Sequence, residues 1–304
     1  MTQWTPKVHA VAVLALSWIA CDKTQPAAPE KPQEPAAASA ATLQPETGTA
    51  RVSGSSALQP LVNAAKEQFE ASHKGMSIEV SAGGSKKGLT DVASGAVHVG
   101  DSDIFAPPDL KAQLVDHRVA VVGFAAMANK GSFNEKVTSV GLSDLAKVFS
   151  GTVTNWKELG GGSQPIVVIN RAPNSGTRAV FGSVVLGGDK FVEGQTEDNS
   201  GALVAKLKQT KGAISYLALS FADPDLQVLN LKIGATAIDA TAANITTGQY
   251  PIWSYEHMYT KGEPTGAAKQ FVDYVLSPTF QEHVLPTVKG FIPVTQMKTS
   301  RDKD

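Results

Sequence analysis

Residues 165–178 read PIVVINRAPNSGTR, and this stretch decides how the rest of the chain is read. The apolar run at 165–169 predicts a strand, and the run through Thr177, Ala179, Val180 and Phe181 predicts a helix. Between them stand Arg171, Arg178, a proline, a glycine and the amide or hydroxyl side chains of Asn170, Asn174, Ser175 and Thr177. That is more hydrogen-bonding capacity than a turn uses on its own backbone, and it points to a bound anion.

The same strand–turn–helix plan recurs on both sides. Upstream, ARVSG at 50–54 is a short strand, and Leu58, Leu61, Val62, Ala65 and Phe69 then recur at helical spacing. Ser56 followed by Gln59 has the form of a capping box. MSIEVSA at 76–82 alternates as a strand, GGSKKGLTDVASGAV at 83–97 is a glycine-rich turn into a helix, and HVGDSDIF at 98–105 is a third strand. RVAVVGFAAMAN at 118–129 is an apolar strand long enough to cross between two lobes. Downstream, residues 139–151 predict a helix, 201–219 a helix and a strand, and 266–286 a closing helix. Strands alternating with helices indicate an α/β protein whose mixed, mostly parallel sheets are flanked by helices.

At 304 residues and a formal net charge of −1, the chain is large enough for two lobes and carries no bulk positive field for a nucleic acid. The amino-terminal part differs in texture. Lys7 precedes the apolar run VHAVAVLALSWIA, which suits the core of an export signal, with Cys21 directly after it. Cys21 is the only cysteine, which excludes an intramolecular disulfide. Its position resembles a bacterial lipobox, with cleavage before Cys21 and lipidation of the thiol, although Trp18 stands where that motif usually has Leu. Residues 22–49 are rich in Pro, Ala, Glu and Gln and read as a flexible tether.

Three turns share one design. SGSSAL at 53–58, SAGGSKKG at 81–88 and PNSGTR at 173–178 each set serine beside a small residue where a helix starts. Backbone N–H groups without intrahelical partners and the helix dipole both favour an anion there. Arg171 adds a planar fork suited to an oxyanion. Asp103, in VGDSDIF, is the odd member, because a carboxylate repels a fully ionised anion. It fits a ligand that carries a proton, since a carboxylate only accepts hydrogen bonds. Asp101 reads as structural, and Lys86 and Lys87 as a solvated face. The histidines are scattered without a metal-binding spacing, and no Gly-x-Ser-x-Gly elbow occurs, so neither a metal, another cofactor nor a catalytic residue is expected.

Together GSSALQPL (54–61), SAGGSKKG, VGDSDI (99–104), VFSGTVTNWKELGG (148–161), NRAPNSGTR, YPIWSYEHMYTKGEPTG (250–266) and KGFIPV (289–294) resemble the substrate-binding proteins of bacterial ABC phosphate importers. The resemblance runs from about Arg51 to Pro293. It implies a two-lobed periplasmic-binding-protein fold of the type with two crossover strands. The implied plan is a signal peptide at 1–20, a tether at 21–49, lobe 1 at 50–126 and 246–304, and lobe 2 at 127–245. It implies an exported monomer, lipid-anchored at Cys21, that encloses inorganic phosphate and delivers it to a membrane permease. Carried over by position, the phosphate contacts would be Ser56, Ala57, Ser85 and Asp103 from lobe 1, and Arg171, Ser175, Gly176 and Thr177 from lobe 2. Some relatives carry an Asp two residues after the arginine, where this chain has Pro173. Competing readings are a binder of arsenate, sulfate or molybdate, an enzyme acting on phosphoesters, and a surface sensor that has kept only the fold.

Overall fold

The computed structural model describes residues 48–132 and 137–301, so the expected signal peptide, Cys21 and the tether through residue 47 lie outside the described residues. The chain runs through β1 (Gly48–Gly54), α1 (Gln59–Ser72), β2 (Met76–Ala82), α2 (Ser85–Ser94), β3 (Val99–Ser102), α3 (Pro108–Lys111) and β4 (Leu114–Asn129). It continues through β5 (Ser139–Gly141), α4 (Leu142–Phe149), β6 (Val167–Arg171), α5 (Gly176–Leu186), β7 (Gln195–Glu197), α6 (Ser200–Gln209) and β8 (Ala213–Ala218). Then follow β9 (Leu226–Val228), β10 (Asn230–Ile233), β11 (Thr236–Ile238), α7 (Ala242–Thr246), β12 (Trp253–Lys261), α8 (Gly266–Leu276) and β13 (Phe291–Ile292). β1 begins two residues inside the span expected as tether.

The main sheet has the order β2-β1-β3-β12-β4-β8-β6-β7, with β13 and β9 also on β4. β1 is parallel to β2 and β3, and β6 is parallel to β7 and β8. The centre is antiparallel, with β4 between β12 and β8.

β4 joins the two ends of this sheet. Its residues from Val119 to Ala128 are all buried, which suits an unbroken apolar run covered on both faces. It pairs with β12 as far as Gly123 and with β8 from Phe124 onward. Gly123 sits at the change of partner, where an added Cβ would stand 2.5 Å from Ile245 Cδ1 and 2.9 Å from Leu219 Cδ1. The chain crosses again at the same level. Phe124 N–H donates to Ile252 O at 2.8 Å, and the Tyr250 hydroxyl donates to Phe124 O at 2.9 Å. Burial holds that phenol far above its usual pKa, so it remains a neutral donor.

Each end has its own packing. α1 buries Leu61, Val62, Ala65 and Phe69, the residues whose spacing predicts the helix, and Phe69 meets Phe271 of α8 edge-on at 5.4 Å. At the other end Phe181 stacks on Tyr216 at 4.6 Å while Phe149 meets Phe181 at 5.0 Å. Such pairs contribute about 0.5–1.5 kcal/mol beyond their buried area. They lock α4 and α5 onto β8 and so fix Tyr216, whose hydroxyl reaches the site below.

Candidate anion-binding site

The loops expected to meet all follow the carboxyl ends of parallel strands: 55–58 after β1, 83–85 after β2, 103 after β3 and 172–177 after β6. That is the end at which open α/β sheets bind ligands. A fifth loop joins them. β7 runs parallel to β6 with Glu197 level with Arg171, which brings the start of α6 beside the arginine.

Asp103 is the centre of one cluster. Its Oδ1 accepts from the Ser55 hydroxyl, its Oδ2 accepts from the Thr177 hydroxyl at 2.7 Å, and its N–H donates to Ser85 Oγ at 2.9 Å. Thr177 comes from the β6 end of the sheet and the others from the β1 end, so one carboxylate ties the two ends together. Gly176 presses on the same group: an added Cβ would stand 2.8 Å from Ser85 Cβ and 2.9 Å from Asp103 Cβ. Any side chain there would hold the two ends apart. Nearby, Asn174 Nδ2 donates to Gly83 O at 2.6 Å, and the Asn174 backbone carbonyl accepts from Lys86 N–H at 3.1 Å.

Arg171 is the centre of the other cluster. It is only 1% exposed, yet among the described residues its guanidinium has only hydroxyl partners: Nη2 donates to Ser56 Oγ at 3.0 Å and Nη1 to Ser200 Oγ at 3.3 Å, and Nε has none. Burial pulls the guanidinium below its ordinary pKa, and the Asp103 carboxylate partly opposes that. A buried cation hydrogen-bonded only to neutral groups has part of its electrostatic demand unmet, and an anion satisfies it. The backbone beneath is tied down: Arg171 N–H donates to the Tyr216 hydroxyl at 3.2 Å, and Arg178 Nη1 donates to Arg171 O at 2.8 Å. Burial raises the Tyr216 pKa to about 12, so that phenol is neutral too. Arg178 itself pairs with Asp189 at 2.7 Å and lies over the Phe191 ring, so the second arginine of the opening stretch is a brace.

Some expectations change. Ser56 does not cap α1: that helix has Leu58 at its cap position with no side-chain bond, and Ser56 Oγ turns to Arg171 instead. Ser55 takes over the local work, accepting the Ala57 N–H at 3.0 Å, so in this conformation that N–H is used within the loop. Ser175 caps α5 by accepting Arg178 N–H at 3.2 Å. Lys87 pairs with Asp91 at 2.5 Å and Lys86 is exposed, which matches a solvated face. Pro173, where some relatives carry Asp, is exposed. Ser55 and Ser200 are the site residues that the resemblance does not supply. The signal for Ser200 is present in the sequence, since Asn199-Ser200-Gly201 repeats the Asn174-Ser175-Gly176 turn.

Asp101 lies in β3 two residues before Asp103 and is buried, and among the described residues its Oδ1 has no partner. Burial, and then the nearby Asp103 charge, raise its pKa well above the usual carboxylate value. The folded state therefore holds a proton that the unfolded chain gives up at lower pH. Stability then falls as pH rises from the ordinary carboxylate range through the raised pKa, and the penalty stays in full above it. Asp101→Asn is expected to flatten this slope and to melt higher than the wild type at neutral pH. Thermal melts across pH check it, and parallel curves for the two proteins would refute it.

Comparison with known proteins shows the family of the chain. Residues 39–279 match the family model of the PBP superfamily domain. The chain is 47% identical over 263 residues to the phosphate-binding protein PstS of Bacillus subtilis strain 168, covering 84% of each chain. It belongs to the phosphate-binding protein family of the PBP superfamily. Among solved structures, a candidate phosphate ABC transporter substrate-binding protein from Clostridium perfringens, with phosphate bound, superimposes with a TM-score of 0.75 at 28% identity. That match covers 81% of this chain and all of the other. An ABC-type phosphate transport receptor from Vibrio cholerae has the same fold, with a TM-score of 0.63 at 20% identity over 80% of this chain and 99% of that one. The two-crossover α/β architecture described above is thus the architecture of the family.

Proposed function

We propose that this protein is an extracytoplasmic phosphate-binding protein that closes over inorganic phosphate and hands it to an ABC-type permease. The observation that carries the reading is the buried Arg171, held by hydroxyls alone, beside a carboxylate that joins both ends of the sheet. Donors for a tetrahedral oxyanion surround one acceptor for its proton. The names of the Bacillus relative and of the Clostridium structure support the same ligand.

In this reading lobe 1 (50–126 and 246–304) contributes Ser56, Ala57, Ser85 and Asp103, and lobe 2 (127–245) contributes Arg171, Ser175, Gly176 and Thr177. The guanidinium and the start of α5 receive the ligand's negative oxygens. Asp103 has one hydrogen bond on each carboxylate oxygen, which leaves lone pairs to accept a ligand O–H. Because contacts come from both lobes, binding energy appears only as the cleft shuts, and reopening releases phosphate. No chemical step is assigned, since the Ser55, Ser56, Ser85 and Thr177 hydroxyls are engaged with Asp103, Arg171 or backbone N–H groups rather than with a histidine base. We read the protein as a monomer held to a membrane by lipid at Cys21, with residues 21–49 giving the binding part its reach. Among the described residues no helix is long and apolar enough to cross a membrane.

Native mass spectrometry of protein purified without unfolding tests this reading. The expected spectrum shows the chain with one phosphate, which is lost on denaturation and restored by added phosphate. A chain that carries none even in excess phosphate would overturn it.

A further inference from the structure

Ser200 opens α6 but has no part in capping it. The cap is Asn199, whose side chain accepts Ala202 N–H at 2.9 Å. Ser200 is fully buried, and its polar atoms turn to the arginine cluster. Its Oγ accepts from Arg171 Nη1 at 3.3 Å and lies 3.0 Å from Ser56 Oγ, and its N–H donates to Ser56 Oγ at 3.1 Å. That N–H belongs to the first turn of a helix, where no intrahelical acceptor exists.

The consequence for Ser56 follows from counting lone pairs. A hydroxyl has two lone pairs and one proton. Ser56 Oγ already accepts from Arg171 Nη2 and from Ser200 N–H. It is therefore a donor in everything else it does: without a ligand its proton turns to Ser200 Oγ at 3.0 Å, and an oxyanion needs that same half of the hydroxyl. Arg171 is oriented by the same pair of serines and keeps its charge, because neither is ionised. A carboxylate in the place of Ser200 would orient the guanidinium equally well but would neutralise it. Position 173, two residues beyond the arginine, is an exposed proline and supplies neither effect.

We infer that Ser200 is a positioning residue of the phosphate site: it aims the Arg171 fork and fixes Ser56 as a hydrogen-bond donor, without cancelling the positive charge. This rests on the phosphate reading above. Its geometric basis is separate, namely the parallel pairing of β6 with β7 that sets Arg171 level with Glu197 and brings Ser200 alongside.

Phosphate titrations of Ser200→Ala, Ser200→Asp and Arg171→Ala test it, run across the pH range in which phosphate passes from monoanion to dianion. Ser200→Ala is expected to weaken binding about tenfold while the phosphate-free protein melts as the wild type does, because Asn199 still caps α6. Ser200→Asp is expected to weaken binding further, and most at the alkaline end, because the new carboxylate offsets the guanidinium where the ligand carries most charge. A purely structural role would not tilt the pH profile in that way. If both Ser200 variants keep wild-type affinity and profile while Arg171→Ala loses binding, the positioning role is overturned and the phosphate site stands. If Arg171→Ala binds phosphate normally, the phosphate site itself is overturned.

Discussion

Arg171→Ala is expected to weaken phosphate binding by about a thousandfold or more, the largest effect of any single substitution in the proposed site. The guanidinium is buried and makes no ion pair among the described residues, so its charge is available to the ligand. Hydrogen bonds to a charged group contribute about 1.5–3 kcal/mol each, and a bidentate pair with an oxyanion approaches twice that. Among the described residues the neighbouring cations do not take its place: Lys87 pairs with Asp91, Lys86 is exposed, and Arg178 braces the loop from behind. The same burial gives the substitution an opposite effect on the unliganded protein. Removing a cation with only neutral partners relieves a desolvation penalty, so the phosphate-free variant is expected to melt no lower than the wild type. Calorimetry with and without phosphate reads both effects. Tight binding by the variant, or loss of binding only through unfolding, would contradict the role given to Arg171.

Asp103→Asn is expected to change which anion binds. On the proposed reading the wild-type carboxylate accepts a hydrogen bond from the ligand's O–H, and it repels an oxyanion that has none to give. A site built around a ligand hydroxyl rejects analogues lacking it by about 10⁴-fold or more. The amide of asparagine removes the negative charge and adds a donor, so sulfate is expected to gain affinity while phosphate loses some. The ratio of the two affinities is expected to fall about a hundredfold. The substitution also disturbs the tie between the two ends of the sheet, since Ser55 and Thr177 both donate to this carboxylate. Competition titrations of phosphate against sulfate measure the ratio. An unchanged ratio would place selectivity elsewhere.

The elements were legible where local periodicity fixes them. The helical spacing from Leu61 to Phe69 and the apolar run of β4 both reappear as buried faces. The strand–turn–helix joints at Gly84–Ser85 and Ser175–Gly176 could be read because serine and glycine at a helix start have few other uses. Which of two adjacent serines does which task was not legible. Ser55 and Ser56 are chemically alike, and only the direction in which the chain leaves β1 sends one to Asp103 and the other to Arg171. Ser56 with Gln59 matches a capping box in sequence, yet tertiary partners claim the hydroxyl. Ser200 escaped notice for a related reason. Two Asn-Ser-Gly turns look identical in sequence, but serine caps the helix at 175, whereas asparagine caps it at 199 and leaves Ser200 for the arginine. Pro173 stands where some relatives carry Asp, and here Arg171 is held by Ser56 and by Ser200, the second of which β6–β7 pairing brings near.

An anion site with a carboxylate inside it is expected to select an anion that carries a proton. Isothermal titration of the wild-type protein, freed of bound phosphate, with phosphate and then with sulfate at one pH and salt concentration tests it most directly. The expected result is saturable binding of one phosphate per chain and no measurable heat from sulfate. Equal affinities for the two anions would contradict it.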